Sequence, residues 1–253
     1  MGRPRKIFEG QVYHTKHGDV EVIEYTAKGK ITVTFIDSGT TVNTICSRLY
    51  RGDVVDFRKK LTFGVGLYDH TLILDLTTED KKYYYSRWYN MLKRCYDKRL
   101  HEERPRYSAC FVCKEWLIFS NFYYWMSSRE HRGLDLDKDL LVADNKQYSP
   151  STCVLIHGKI NTFISTEREG FSPNATGAFL VEASGKYLST ISNPITNLPR
   201  FLGTFSTEKE AHEVWREAKH GFACELVNSE YVTDINVSLA LMNKYRLSNN
   251  KGE

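Results

Sequence analysis

The chain has 253 residues, is 41% hydrophobic and 26% charged, and carries a formal net charge of +4. That is an ordinary soluble globular composition, long enough for one large domain or two to three small ones. No run approaches the roughly 20 apolar residues of a membrane helix, and the basic start MGRPRKIFEG has no apolar stretch behind it to act as a secretory signal, so the expectation is a cytoplasmic protein with no membrane partner and reduced thiols at Cys46, Cys95, Cys110, Cys113, Cys153 and Cys224.

In chain order, Gly2-Arg3-Pro4-Arg5-Lys6 resembles the core of an AT-hook, an extended peptide that lays arginines in a narrow minor groove. An unstructured basic tail is the plainer reading, and either adds phosphate affinity. Residues 1–62 read as a small all-β module. Val20–Tyr25 and Ile31–Ile36 are β-branched runs joined by the turn signal Ala27-Lys28-Gly29-Lys30. SGTTVNTI gives a third run and RLYRGDVVDF a short fourth, a spacing that suggests a small barrel or sandwich, with a barrel-like module preferred. Residues 63–78 read as a linker, with Gly64-Val65-Gly66 as a hinge or tight turn.

A third region covers 79–168. A helix is expected over about Glu79–Tyr96, with a capping signal at Thr77 and Asp80 and a core stripe of Tyr84, Trp88, Met91, Leu92 and Cys95. From Lys81 to Arg106 there are nine Lys or Arg against three acids, interleaved with tyrosines and Trp88. A phosphate backbone attracts such a segment, and Arg87, Lys93 and Arg94 are its candidate DNA contacts. The alternative is a solvated helix face over an aromatic core, and the two are compatible. A second helix is expected over about Cys113–Met126, with Trp116, Phe119, Tyr123 and Met126 as its stripe. Then LDLDKDLLVADNKQYSPSTCVLIHGKIN, Leu134–Asn161, reads as strand, polar loop, strand and helix start.

The last region, 174–253, passes through three short strands and turns helical. Thr207 with Glu210 forms a capping box, Ala211, Val214, Trp215 and Ala218 line one face, and Gly221 is expected to stop the helix. A second amphipathic run, INVSLALMNKYRL, follows.

Two clusters invite chemistry. Asp135, Asp137 and Asp139 alternate along the expected strand, so all three fall on one face, and two carboxylates there suit a hard ion such as magnesium. The competing reading is a charged exposed strand. Cys110-x-x-Cys113, with Cys95 and Cys153, has the makings of a structural zinc site, against buried thiols as the simpler account.

RWYNMLKRCYDKR, YSACFVCKEWLIFSNFYYWM and Leu134–Asn161 together resemble phage proteins related to the H-N-H (His-Me finger) homing endonucleases. GKYLSTISNPITNLPRFLGTFSTEKEAHEVW resembles the ethylene-response-factor type of DNA-binding domain. The resemblances imply an α+β multidomain chain: the β module, a ββα-metal nuclease-like domain and a three-stranded sheet plus helix. They imply a metal-dependent DNA endonuclease with Mg2+ or Mn2+ as cofactor and double-stranded DNA as partner, and some nucleases of this fold carry a structural Zn2+. Asp137 matches the metal-binding Asp, Lys138 stands in the slot of the catalytic His, Asn145 matches the loop Asn and Asn161 the helix residue. Asp139 joins Asp137 as a metal ligand or replaces the base, and His131 and His157 are nearby histidines outside the matching slot, His157 being the candidate taken. In the C-terminal domain the resemblance lays three strands in the major groove, with Lys186, Ser189 and Arg200 as polar contacts. Because the base that defines such enzymes is missing, a catalytically inactive DNA-binding or regulatory protein stays open beside the nuclease.

Overall fold

The computed structural model describes residues 7–26, 29–59, 61–73, 76–165 and 176–246. The basic tail at Gly2–Lys6 and the first half of the Ala27–Lys30 turn lie outside the described residues. Helices and strands are mixed in several small sheets, and the chain divides into two compact units, Met1–Arg129 with Lys146–Ser149, and Glu130–Asn145 with Pro150–Glu253.

The first unit opens with an antiparallel meander of β1 (Val12–Thr15), β2 (Gly18–Tyr25), β3 (Lys30–Phe35) and β4 (Thr41–Ile45). Alternation in KITVTF turns Ile31, Val33 and Phe35 inward. They meet Val20, Val22, Val42, Leu49 and Val54 in a core of their own, each such side chain stabilising by about 1.5–3 kcal/mol. The expected barrel does not close. RLYRG is not a strand: α1 (Cys46–Tyr50) takes its place, sinks Leu49 into the core and ends at a turn where Gly52 has φ +65°.

Residues 63–78 are also more than a linker. Thr62 bridges Gly66, Leu67 bridges Ile118, and His70–Leu72 form a 3-10 turn. Gly66 is required by close approach: a Cβ there would lie 2.4 Å from Leu92 Cδ1 and 2.8 Å from the Trp88 ring. Gly64, at φ +75°, makes the tight turn between Thr62 and Gly66, and Gly66 packs.

α2 (Thr78–Tyr96) starts at Thr77, whose hydroxyl accepts from Asp80 N, and buries the stripe read from its period. Trp88 Nε1 donates to Trp116 O at 2.7 Å. α3 (Lys98–Glu103) is capped by the Asp97 carboxylate. The expected helix over 113–126 is broken: Glu115–Leu117 form a 3-10 turn, Ile118 is extended at φ −96° and ψ 120°, and α4 (Phe119–Ser127) follows. β5 (Phe111–Val112) pairs in parallel with β7 (Gln147–Tyr148), which returns from the second stretch of this unit.

In the second unit β6 (Leu134–Asp137) pairs antiparallel with β8 (Val154–His157), which runs into α5 (Gly158–Ser165). A second sheet, ordered β11-β10-β9, contains β9 (Ala178–Val181), β10 (Lys186–Ser192) and β11 (Pro199–Phe205). α6 (Glu208–Val227) crosses it from the Thr207–Glu210 capping box, and α7 (Ile235–Lys244) follows from Asp234. Gly221 does not stop α6, which continues to Val227; an interior glycine costs a helix only about 1 kcal/mol against alanine.

One core joins these parts. Leu140, Val154, Ile156, Ile160 and Phe163 pack with Ile191, Trp215, Phe222, Leu226, Val237 and Leu241. The expected boundaries at 79–168 and 174–253 therefore do not follow the contacts. α5 buries only Ile160 and Phe163 of its own, and the hairpin completes its core with α6 and α7.

Candidate active site

The register of β6 and β8 orders the chemistry. Asp135 faces Ile156 and Asp137 faces Val154, while His157 faces Leu134. Alternation therefore puts Asp135 and Asp137 on one face of the hairpin and His157 on the other. β6 ends at Asp137, so Asp139 falls beyond the strand and the expected face of three aspartates reduces to two.

Those two carboxylates do different things. One turn into α5, Asn161 Nδ2 donates to Asp135 Oδ2 at 3.1 Å. Asp137 is buried, and its Oδ1 accepts from Asp139 N at 2.9 Å and Leu140 N at 2.7 Å. That is an Asx turn, in which a carboxylate stands in for a carbonyl and ends the strand. Burial raises the Asp137 carboxyl above its ordinary 3.8, the two backbone donors partly offset this, and the Asp139 charge adds to it.

Lys138 closes the loop that follows. Its side chain is 7% exposed, and its ammonium pairs with Asp139 Oδ1 and donates to Asn145 O at 2.8 Å. Asn145 Nδ2 returns a bond to Lys138 O at 2.7 Å. Asp144 takes a left-handed φ of +56°, a conformation Asp tolerates, to bring Asn145 round. Lys138, Asp139 and Asn145 thus form a clip between the strand end and its loop, with the Lys138 ammonium as donor to Asp139 and Asn145 and the Lys138 carbonyl as acceptor from Asn145.

His157 is engaged elsewhere. Its Nδ1 accepts from Lys159 N at 3.1 Å, and its ring lies 4.7 Å from that of Tyr231. Lys159 Nζ sits 4.7 Å over the same tyrosine ring and donates to Ile195 O. This histidine fixes the β8–α5 junction.

Magnesium takes oxygen ligands and commonly makes do with one or two carboxylates, water and substrate phosphate. Asp137 with Asp139 does not fit that description, because one closes a turn and the other pairs with an ammonium. Asp135 with Asn161 fits it as a two-donor edge: with its amide turned, Asn161 presents an oxygen beside the carboxylate. The sequence pattern places Asp135 and Asp137 on one face, and the contact between Asp135 and Asn161 is visible only once the strand and helix are packed together. Among the described residues, no group of three or more His, Cys, Asp or Glu is arranged to hold a metal ion. Of the four cysteines considered for zinc, Cys95, Cys110 and Cys113 are buried in the first unit and Cys153 is buried in the second. Burial pushes the Cys113 thiol up, and Cys110 Sγ points to Arg106 O at 3.8 Å.

The expected DNA contacts separate as sharply. Arg87 lies 5.5 Å over the Tyr83 ring, Arg94 donates to Tyr148 Oη at 3.5 Å, and both, with Lys93, are half-buried along α2. On the second sheet Lys186 is exposed opposite Val181, and Arg200 is exposed opposite Ile191. Ser189 is a correction: it is 0% exposed and donates to Ala211 O at 2.9 Å, so it fastens the sheet to α6. The outward face instead carries Phe179, Lys186, Thr190 and Phe201, with Phe201 65% exposed. Anchoring the alternation on apolar Ile191 would have turned Ser189 inward from the sequence.

No protein-family model, no curated protein and no solved structure matches the chain. Among the described residues, no helix is long and apolar enough to cross a membrane.

Proposed function

We propose that the chain is a double-stranded-DNA-binding protein of the phage homing-endonuclease type. In this reading β6, β8 and α5 are the ββα finger of H-N-H enzymes. β9 to β11, backed by α6, are an ethylene-response-factor-type domain that presents Lys186 and Thr190 to a groove, while Arg200, paired with inward Ile191, falls on the other side of the sheet. The observation that carries it is the Asp135–Asn161 pair, a strand carboxylate meeting a helix carboxamide at 3.1 Å. A divalent ion held there would supply the positive charge that phosphodiester hydrolysis needs at the scissile phosphate and the departing oxygen. Asp135 orients toward that position, and Asn161 fixes it from α5. Asp137 and the Lys138–Asn145 clip hold the strand end.

A second reading, binding without cleavage, is favoured by the place of the basic groups. Lys138 is sealed into the clip, and His157 belongs to the opposite face. The test is a nicking assay on supercoiled plasmid with Mg2+ or Mn2+, run beside a gel-shift titration at several salt concentrations. Nicking by the wild type that Asp135→Asn abolishes, with binding kept, supports hydrolysis at this edge. Salt-dependent binding with no nicking supports the second reading. Absence of salt-dependent duplex binding overturns both.

A further inference from the structure

The first unit contains a cleft of about 670 Å3 that neither DNA-directed element uses. It lies beside β3, β4 and α1 and is bounded by the His70–Leu72 turn and the start of α2. Its charged lining is Glu24, Lys30, Arg48 and Lys81, three cations against one acid. Among the described residues none of these four is in an ion pair. Among the described residues two polar atoms in the wall, His70 Nδ1 and Thr71 Oγ1, are buried with no hydrogen-bond partner. Buried polar atoms are nearly always satisfied, so two adjacent orphans on one wall call for a ligand. The imidazole of His70 is pushed down to about 4, first by burial and then by Lys81, with Arg48 contributing and a backbone hydrogen bond to Tyr68 and the Asp69 charge partly offsetting them. The fields of both cations therefore converge on the wall that holds the orphans.

We propose that this cleft binds the phosphate of a nucleotide, free or within a nucleic-acid strand. Lys30, Arg48 and Lys81 supply the charge, and the Thr71 hydroxyl and His70 ring supply the buried polar contacts. The size decides for a nucleotide over bare phosphate, because the volume lies within the 300–1,000 Å3 range of small-molecule sites and a lone phosphate fills only a small part of it. Ile31, Ile45 and Ile73 give the cleft an apolar side suited to a base or sugar. The inference stands apart from the DNA reading of the second unit, since every residue it uses belongs to the first.

The experiment titrates the full-length chain with inorganic phosphate, a nucleoside 5′-monophosphate and a short DNA duplex. Each titration follows the ring C–H signals of His70 by NMR together with a binding isotherm. The nucleotide is expected to move those signals saturably. Arg48→Gln with Lys81→Gln should weaken it by about ten-fold or more, since contacts to charged groups are the strong ones. Thr71→Val, which keeps the shape of the wall, should weaken it less while the melting temperature holds. Movement with the duplex alone assigns the site to strand phosphate; movement with the mononucleotide alone assigns it to free nucleotide. His70 signals unmoved by all three probes, or nucleotide affinity unchanged in the double variant, overturns the proposal. Duplex binding with His70 unmoved overturns it and leaves the DNA reading standing. Nucleotide binding without duplex binding supports it and sinks the DNA reading.

Discussion

The two main sheets are both antiparallel and both carry one buried face, yet they are stabilised differently. The N-terminal meander fills its own core: Val20, Val22, Ile31, Val33, Phe35 and Val42 come from its strands, and Leu49 from the short helix beside it. Its outer face carries Thr32, Thr34, Thr41 and Asn43, which bond one another across β3 and β4. The C-terminal sheet contributes little to its core beyond Ile191 and takes the rest from α6, α7, α5 and β8. Its outer face leaves Phe179 and Phe201 in water beside Lys186. Exposed apolar groups mark surfaces that meet something, and the meander has its own in Ile23, Tyr25 and Ile45, each about half exposed along its strands.

The sharpest way to break that comparison is to remove one anchor from each core. Trp215 is 5% exposed, and its ring lies so close to Gly177 (φ +81°) that a Cβ there would stand 2.1 Å from Cγ. Trp215→Ala should cost about 3–5 kcal/mol. Because the core is shared, hydrogen-exchange protection should fall in β6 and β8 as well as in β10. Phe35→Ala should cost a similar amount, about 3–5 kcal/mol, with the loss confined to β1 to β4. Protection that survives in β6 when Trp215 is truncated would mean that the hairpin folds without the sheet.

Between the faces of one strand the contrast is smaller. Ser189→Ala removes the donor to Ala211 O and should cost about 1 kcal/mol of stability, with DNA affinity lost only in proportion to unfolding. Lys186→Ala should leave the melting temperature in place and reduce the salt slope of duplex binding by about 1. Denaturant unfolding and gel-shift titrations on both variants check the pair. A DNA-specific defect in Ser189→Ala would restore its role in the groove.

Much of this architecture is legible in the sequence, for identifiable reasons. Helical period gave the α2 stripe, because Tyr84, Trp88, Met91, Leu92 and Cys95 repeat along one face; cap chemistry gave Thr77 and Thr207. What escaped depends on partners distant in the chain. RLYRG resembles a strand by its local residues, and only the packing of Leu49 makes it helical. Gly221 looks like a stop, but α6 continues because Phe222, Ala223 and Leu226 have a core to enter. At the candidate site, LDLDKD announces its aspartates while their roles depend on register. Nothing local says that Asp135 meets Asn161 while Asp137 folds back on its own loop.

The two aspartates give a pH test of that division. Burial raises the Asp137 carboxyl, so the folded chain holds its proton more tightly than the unfolded chain does. Its contribution to stability is then fully present below the unfolded value of 3.8 and is lost as pH rises through the folded value. At neutral pH the ionised carboxylate costs stability. Asp137→Asn keeps an oxygen for the Asx turn and removes that cost, so its melting temperature at pH 7 should equal or exceed the wild type's, with the difference vanishing below pH 3.8. Loss of Mg2+-dependent DNA behaviour in Asp137→Asn, but not in Asp135→Asn, would return the metal role to Asp137.

The smallest effect sits on α6, which serves both the sheet and the hairpin. Gly221 lies mid-helix, exposed, and a Cβ built there meets nothing within 4 Å. Its cost is therefore purely conformational: the unfolded chain gives up more freedom at glycine than at alanine. Gly221→Ala should stabilise by about 0.5–1 kcal/mol, read as a raised denaturant midpoint with an unchanged slope. The gain should appear in the protection of β6, β8 and β10 together and leave β1 to β4 unmoved. A gain limited to α6 itself would show that the helix frays independently and that the core on either side of it is less continuous than its packing implies.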